Sequence, residues 1–339
     1  MKYSKKSLWE NKNRIVFLYV IGGVFLTVAL LLGIFTGSTD FSLSDFLLAF
    51  KNGLQSQTAG KILLYVRLPR TLASAFCGIA LSLSGVIIQN VLSNKLASPS
   101  VIGVNAGAGF AVTLCTALSL YSGTFVSVFA FLGAFLTVMT VSIASKKWGA
   151  SRSTVILIGV AVNSLLGAFS DTITTFVPEV SVLSNDFKIG DFSSVTYERL
   201  VPAVFIIVFS SLILFFLSNE LDVITLGEEQ AKSLGMSFEL KRTVFLIIAA
   251  LLAGAAVSVA GLLSFVGLIV PHTVRRIAGN KTRDVLGLSA LYGGGFLTLC
   301  DTLSRSIFSP YEIPVGIIMA FLGAPFFIFI LVRGGKNVA

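Results

Sequence analysis

The stretch whose reading decides the fold is residues 243–274, TVFLIIAALLAGAAVSVAGLLSFVGLIVPHTV. These 32 residues carry no charge. A helix needs about 20 predominantly apolar residues to cross a bilayer, so the run is too long for one comfortable span and short for two with a loop. Its flanks settle the count, because basic residues concentrate in the cytoplasmic segments of membrane proteins. Let the N-terminus (Lys2, Lys5, Lys6, Lys12, Arg14) lie inside and let 243–274 cross twice. The inside segments then also collect Lys95, Lys146, Lys147, Arg152, Lys232, Lys241, Arg242, Arg275, Arg276, Lys281, Arg283, Arg333 and Lys336, giving 18 of the 25 Lys and Arg. Lys51, Lys61, Arg67, Arg70, Lys188, Arg199 and Arg305 remain outside. A single crossing divides the basic residues almost evenly. The run is therefore read as two spans, the second short and broken by Gly267 and Pro271.

Further uncharged runs mark spans near 15–36, 71–90, 101–120, 125–145, 154–177, 200–218, 285–303 and 313–332. The expected fold is an all-α polytopic membrane protein of about ten transmembrane helices with both termini cytoplasmic. A cytoplasmic segment, 1–14, precedes a single transmembrane domain, 15–335, whose longest charged inside loop is 219–242. Composition agrees. Of 339 residues, 55% are hydrophobic and 12% charged, about half the charge of an ordinary globular domain, and mean hydropathy is +0.91. This excludes a soluble enzyme, a disordered regulator and a nucleic-acid-binding module. The formal charge of +9 reports topology, since the basic residues sit in short clusters between apolar runs. Cys77, Cys115 and Cys300 are odd in number and lie far apart in apolar runs, so neither a disulfide framework nor a metal site is expected. The first apolar run is followed by no small-x-small cleavage site and reads as an anchor. Gly103-x-x-x-Gly107 with Gly109 suits close helix packing.

The chain has no phosphate-binding Gly-x-x-x-x-Gly-Lys loop, no cluster of His with carboxylates, and almost no carboxylate near a span centre. Ion-coupled transporters usually keep such groups, so the chain reads as a passage driven by an external engine.

Three constellations stand out. Arg67-Leu68-Pro69-Arg70 lies at the outer start of the second span, with Pro69 in the expected first helical turn. Arg305 lies on the same side. These arginines either snorkel to headgroups, with Arg305 pairing with Asp301 or Glu312, or form a basic docking ring for an acidic extracellular partner. In the loop 219–242, Thr225-x-x-Glu228 fits a capping box and Gly235 a left-handed helix terminus. This predicts a short helix on the cytoplasmic side, either a solvated connector or a contact. The third is Gly267-Leu268-Ile269-Val270-Pro271-His272, whose proline calls for neighbours that re-satisfy the backbone. His272 reads as a structural or interface residue.

In their order along the chain, several motifs resemble the permease subunits of bacterial ABC importers for iron–siderophores, haem and vitamin B12, the FecCD type. They are Arg67-Leu68-Pro69-Arg70, Gly85-x-x-x-Gln89, Asn94-Lys95-Leu96-Ala97-Ser98-Pro99, Gly103-Val104-x-x-Gly107-Ala108, Leu226-Gly227-Glu228-Glu229-Gln230-Ala231-x-x-Leu234-Gly235, Phe265-Val266-Gly267-Leu268-Ile269-Val270-Pro271-His272, Glu312-Ile313-Pro314-Val315-Gly316 and Gly323-Ala324-Pro325-Phe326-Phe327. Lys95 departs from the family's usual proline. The resemblance spans roughly 15–335.

It implies a vitamin-B12-importer-like, non-enzymatic subunit in the bacterial plasma membrane. The subunit pairs with a second copy or a paralogue and works with two ATPase subunits, which hold the ATP and Mg, so no cofactor is expected on this chain. An extracytoplasmic binding protein docks on Arg67, Arg70 and Arg305. Residues Leu226, Gly227, Glu228, Glu229, Gln230, Ala231, Leu234 and Gly235 supply the helix that couples to the ATPase. Gln89, Asn105 and Asn163 are candidates for the pathway, or else helix–helix hydrogen bonders, and Ser151 and Thr154 flank the inner gate by analogy. The cargo expected is a ferric siderophore, with vitamin B12 or haem as the alternative. An ion-coupled secondary transporter is the rival from another class.

Overall fold

The computed structural model describes residues 5–37, 58–147 and 152–334, and among these every regular element is helical. Helix α1 is Lys5–Phe35, so helix already occupies much of the segment 1–14. Thr58–Ile62, a π-helical turn Leu63–Arg67 and Leu68–Val91 run on as one rod, α2. A 3-10 turn, Pro99–Ile102, leads into α3, Val104–Ala117. Then come α4 (Gly123–Lys147), α5 (Arg152–Phe176), the short α6 (Pro178–Leu183) and α7 (Asn185–Ile189), and α8 (Tyr197–Phe216). Two more short helices, α9 (Ser218–Thr225) and α10 (Glu228–Ser233), precede α11 (Phe238–Ala260), α12 (Val266–Ala278), α13 (Thr282–Ser304) and α14 (Val315–Gly334). Among the described residues, seven helices are long and apolar enough to cross a membrane. With the short α3 and α12, and with α14, the described residues hold the ten expected segments.

The bundle is built around α2. Its partners α13, α11 and α12 pack directly against it, and 83% of the apolar window of α2 is buried, against 11% for α1 and for α5. The contacts are close because glycines face one another. A Cβ on Gly85 would lie 1.9 Å from the Gly267 carbonyl oxygen, and one on Gly107 would lie 2.4 Å from the Gly133 carbonyl oxygen. Without a solvent-driven hydrophobic effect inside lipid, such backbone proximity is a main source of helix association.

Two sequence expectations change. Pro69 does not begin its helix. The helix starts at Thr58 and meets the proline by widening: Leu68 N–H donates to the Leu63 carbonyl, five residues back. The freed Leu64 carbonyl accepts from the Tyr197 hydroxyl at 2.8 Å. A π-turn absorbs the ring that would otherwise clash with the preceding turn. The break before the eighth segment is likewise displaced. It lies at Gly261–Phe265, where Gly261 (φ 71°) and Phe265 (φ 70°) are left-handed, and Gly267 and Pro271 sit inside the following helix. Pro271 lacks the N–H that would bond the Gly267 carbonyl, and Gln89 Nε2 donates to that carbonyl instead at 3.3 Å.

Candidate functional site

Polar groups gather at the two ends of the bundle. At one end the C-terminus of α1 leaves carbonyls without helical partners, and two arginines meet them. Arg67 Nη1 donates to the carbonyls of Ile34 (3.0 Å) and Phe35 (2.9 Å), and Arg305 Nη2 to that of Gly33 (2.6 Å). Cations there also oppose the negative end of the helix dipole. Arg70 forms ion pairs with Asp301 at 2.9 Å and Glu312 at 2.6 Å, and Arg305 Nε stands 3.5 Å from the other Asp301 oxygen. Arg67, Arg70 and Arg305 are only 3–5% exposed and Asp301 is fully buried. Of the two readings the sequence offered, the in-chain pairing of Arg305 with Asp301 is present, and the three arginines lie beneath the surface rather than on it. The acid and carbonyl partners come from this same chain, and the three charges form a buried core that joins α1, α2 and α13.

At the other end lies the loop 219–242. Leu217 and Ser218 pass directly from α8 into α9, and α10 follows after Leu226 and Gly227. The capping box does not form. Thr225 belongs to α9 and its hydroxyl donates back to the Asp222 carbonyl at 2.6 Å. Gly227 is the N-cap instead, at φ 103° and ψ 169°, a conformation open essentially to glycine alone. The other terminus is as expected. Gly235 is left-handed (φ 80°), its N–H donates to the Lys232 carbonyl at 2.9 Å, and Met236 N–H donates to the Ala231 carbonyl at 3.0 Å, the paired bonds of a Schellman motif. Ala231 is buried, while Leu226 and Leu234 are 51% and 66% exposed. Glu228 bonds Lys232 at 2.7 Å one turn on and holds that ammonium charged above its usual range. The result is a rigid knob with apolar shoulders and two acidic residues, Glu228 and Glu229, in its first turn.

A continuous polar chain joins this loop to the transmembrane helices. Asp222 Oδ1 accepts from Thr282 N–H at 3.1 Å, capping α13. Asn90 Nδ2 donates to the Thr282 hydroxyl at 3.0 Å, and Asn90 Oδ1 accepts from Arg275 Nη2 at 2.7 Å. Arg275 Nε reaches Gln89 Oε1 at 3.5 Å, and Gln89 closes the chain on Gly267. Beside it, Arg242 Nη2 donates to Ser145 Oγ at 3.1 Å. Asn90, Asp222 and Thr282 escaped the sequence reading. The one visible signal was a second amide, Asn90, next to Gln89 at the end of an apolar span, where an unpartnered amide is costly.

Of the remaining candidates, Asn163 Nδ2 donates to the Ser100 carbonyl at 3.1 Å and ties α5 to the 3-10 turn. Asn105 and Thr154 are half-buried on α3 and on the first turn of α5. Ser151 lies outside the described residues. Gln89 and Asn163 thus serve helix contacts, and the structure brings neither together with Thr154.

Comparison with known proteins bears on this architecture. The model of the FecCD transport family matches residues 25–333. The chain is 37% identical over 336 residues to an ABC transporter permease protein of Bacillus subtilis, YvrB, covering 94% of this chain and 95% of that one. It is 37% identical over 278 residues to the cobalamin import system permease protein BtuC of Halobacterium salinarum (81% and 74% covered). It is 34% identical over 324 residues to the Fe(3+)-citrate import system permease protein YfmD of Bacillus subtilis (95% and 96% covered). A solved structure assigned to the metal-chelate type of ABC transporter, in an inward-facing conformation, superposes with a TM-score of 0.83 at 27% identity over 93% of this chain and 98% of that one. The ten segments, the glycine-packed centre and the projecting loop helix all belong to a match of this length, and the chain is a multi-pass membrane protein of the FecCD transport family, an ABC-importer permease of that type.

Proposed function

We propose that this permease carries a ferric siderophore, handed over by an extracytoplasmic binding protein, and that a separate ATPase subunit drives it through the loop 219–242. The observation that carries this reading is the knob Leu226–Gly235. A helix of six residues is too short to be stable alone in water, yet this one is locked by glycine at both ends and anchored through Ala231. It turns Leu226, Leu234 and its carboxylates outward, as a helix fitted to a groove on a partner would. ATP and Mg belong to that partner. In this reading the loop end is cytoplasmic, together with both termini, because it carries most of the basic residues. The opposite end receives the binding protein, with Arg67, Arg70 and Arg305 shaping it from beneath. A second permease copy or a paralogue completes the pathway. The sparsely buried α5 supports this, exposing Leu157, Val160, Leu165 and Phe169.

The Fe(3+)-citrate permease, matched over nearly the whole chain, supports the ferric cargo. The cobalamin permease, at 37% identity, favours a second reading in which the cargo is vitamin B12 or another large cyclic chelate such as haem. Uptake of radio-iron as a ferric siderophore, in cells lacking this gene, separates them. Restoration only by this chain together with its ATPase supports the proposal. Flat iron uptake with entry of labelled cobalamin or haem moves the cargo to the second reading. Uptake without any ATPase overturns the mechanism in favour of an ion-coupled carrier.

A further inference from the structure

The loop end also holds a cavity of about 230 Å³ lined by Gln89, Asn90, Ser93, Lys95, Thr225, Arg275 and Asn280. Every lining residue is polar, two are cations and none is a carboxylate. Gln89 and Asn90 are 3% exposed, and their amide oxygens take Arg275 Nε and Nη2 at 3.5 and 2.7 Å, so the guanidinium is held as an oriented plane on the cavity wall. Lys95 stands on the loop that follows α2. Lys95, Arg275 and Arg276 all act electrostatically on His272, which places the three cations in one neighbourhood. The nearby carboxylate on α9, Asp222, is engaged with the N-terminus of α13.

We propose that this cavity binds a phosphate-type oxyanion. A guanidinium fixed in a plane presents paired N–H donors that match a phosphate edge, and an ammonium adds a point charge. The volume is below the usual range of pockets for drug-sized ligands and suits one oxyanion with a few waters. Basic pockets between transmembrane helices at the cytoplasmic side are also where anionic headgroups are held. Two sources share this chemistry, a phospholipid headgroup and free phosphate. The ends of α2, α9 and α12 converge here, and their dipoles alone favour cations. That explains the charges but not an open cavity between them lined by polar residues.

The test uses the full chain in nanodiscs and reads thermal midpoint and binding, not transport, so it stands or falls separately from the cargo and the driving force. Phosphatidylglycerol added to phosphatidylcholine discs probes the headgroup source. Inorganic phosphate titrated onto pure phosphatidylcholine discs probes the free source. The expected result is a raised midpoint with one of these probes, and an apparent affinity that falls on the order of tenfold in Lys95→Gln, the loss of one charge-assisted contact. Arg275→Lys, which keeps the charge but not the fork, should weaken binding less than Arg275→Gln. Lys95 is exposed, so its variant keeps the test valid if Arg275→Gln fails to fold. No shift with either probe, or a shift that persists unchanged in Lys95→Gln, overturns the proposal and leaves the cations to the helix ends.

Discussion

Arg70 shows what a single buried charge commits the protein to. It meets Asp301 and Glu312, and removing one member of a buried pair strands the other, at about 3–5 kcal/mol. Arg70→Leu should therefore lower the thermal midpoint of the detergent-solubilised protein sharply, and Glu312→Gln, at a partly exposed position, much less. An unchanged midpoint in Arg70→Leu would show that the ion pairs do not hold this end together. Gln89→Leu should cost about 1–3 kcal/mol by orphaning the Gly267 carbonyl, in the same assay. Gly85→Ala belongs with it: its Cβ cannot fit, so α2 and α12 must part, an overpacking penalty of about 1–3 kcal/mol. These residues were visible in the sequence as motifs, but not their partners. Arg70 and Asp301 lie 231 positions apart, and no periodicity connects them. The sign of the requirement, that something acidic must answer the arginines, was legible, and Asp301 and Glu312 could be named as in-chain partners for Arg305; that Arg70 takes both could not.

Individual helices were read unevenly, for reasons rooted in backbone geometry. The long spans declared themselves through uncharged runs. The π-turn ahead of Pro69 did not, since it depends on where the displaced carbonyl finds a donor, here Tyr197. In the loop, Thr225 and Glu228 have capping-box spacing, but α9 already owns Thr225 and the chain turns at Gly227. This gives a sharp contrast at the level of the element. Thr225→Val should change stability by no more than about 0.5 kcal/mol. Gly227→Ala must place a side chain in a glycine-only conformation, at about 1–3 kcal/mol, and should raise protease cleavage at the knob while the bundle stays folded. Equal cleavage of the two variants would return the cap to Thr225.

For the molecule as a whole, topology is the claim most exposed to experiment. Cys77, Cys115 and Cys300 are buried, so Glu229→Cys provides a reporter on a quiet background. In intact cells it should resist a membrane-impermeant maleimide and react once the membrane is opened. Labelling from outside would invert the bundle. The span count could be drawn from charge parity, because the basic residues summed over alternate segments are so unequal, 18 against 7. The shape of the eighth segment could not, because its length depends on how α7 and α14 cover the break beside it. That segment, α12, has 13 residues and rises only about 20 Å, against a hydrocarbon layer about 30 Å thick. One of its two ends thus lies below the headgroups, and there it is walled by protein rather than lipid, with Val266 and Gly267 through Pro271 buried. Lengthening the acyl chains of a reconstituted bilayer deepens the mismatch, and neither α12 nor the 14-residue α3 has spare turns to give.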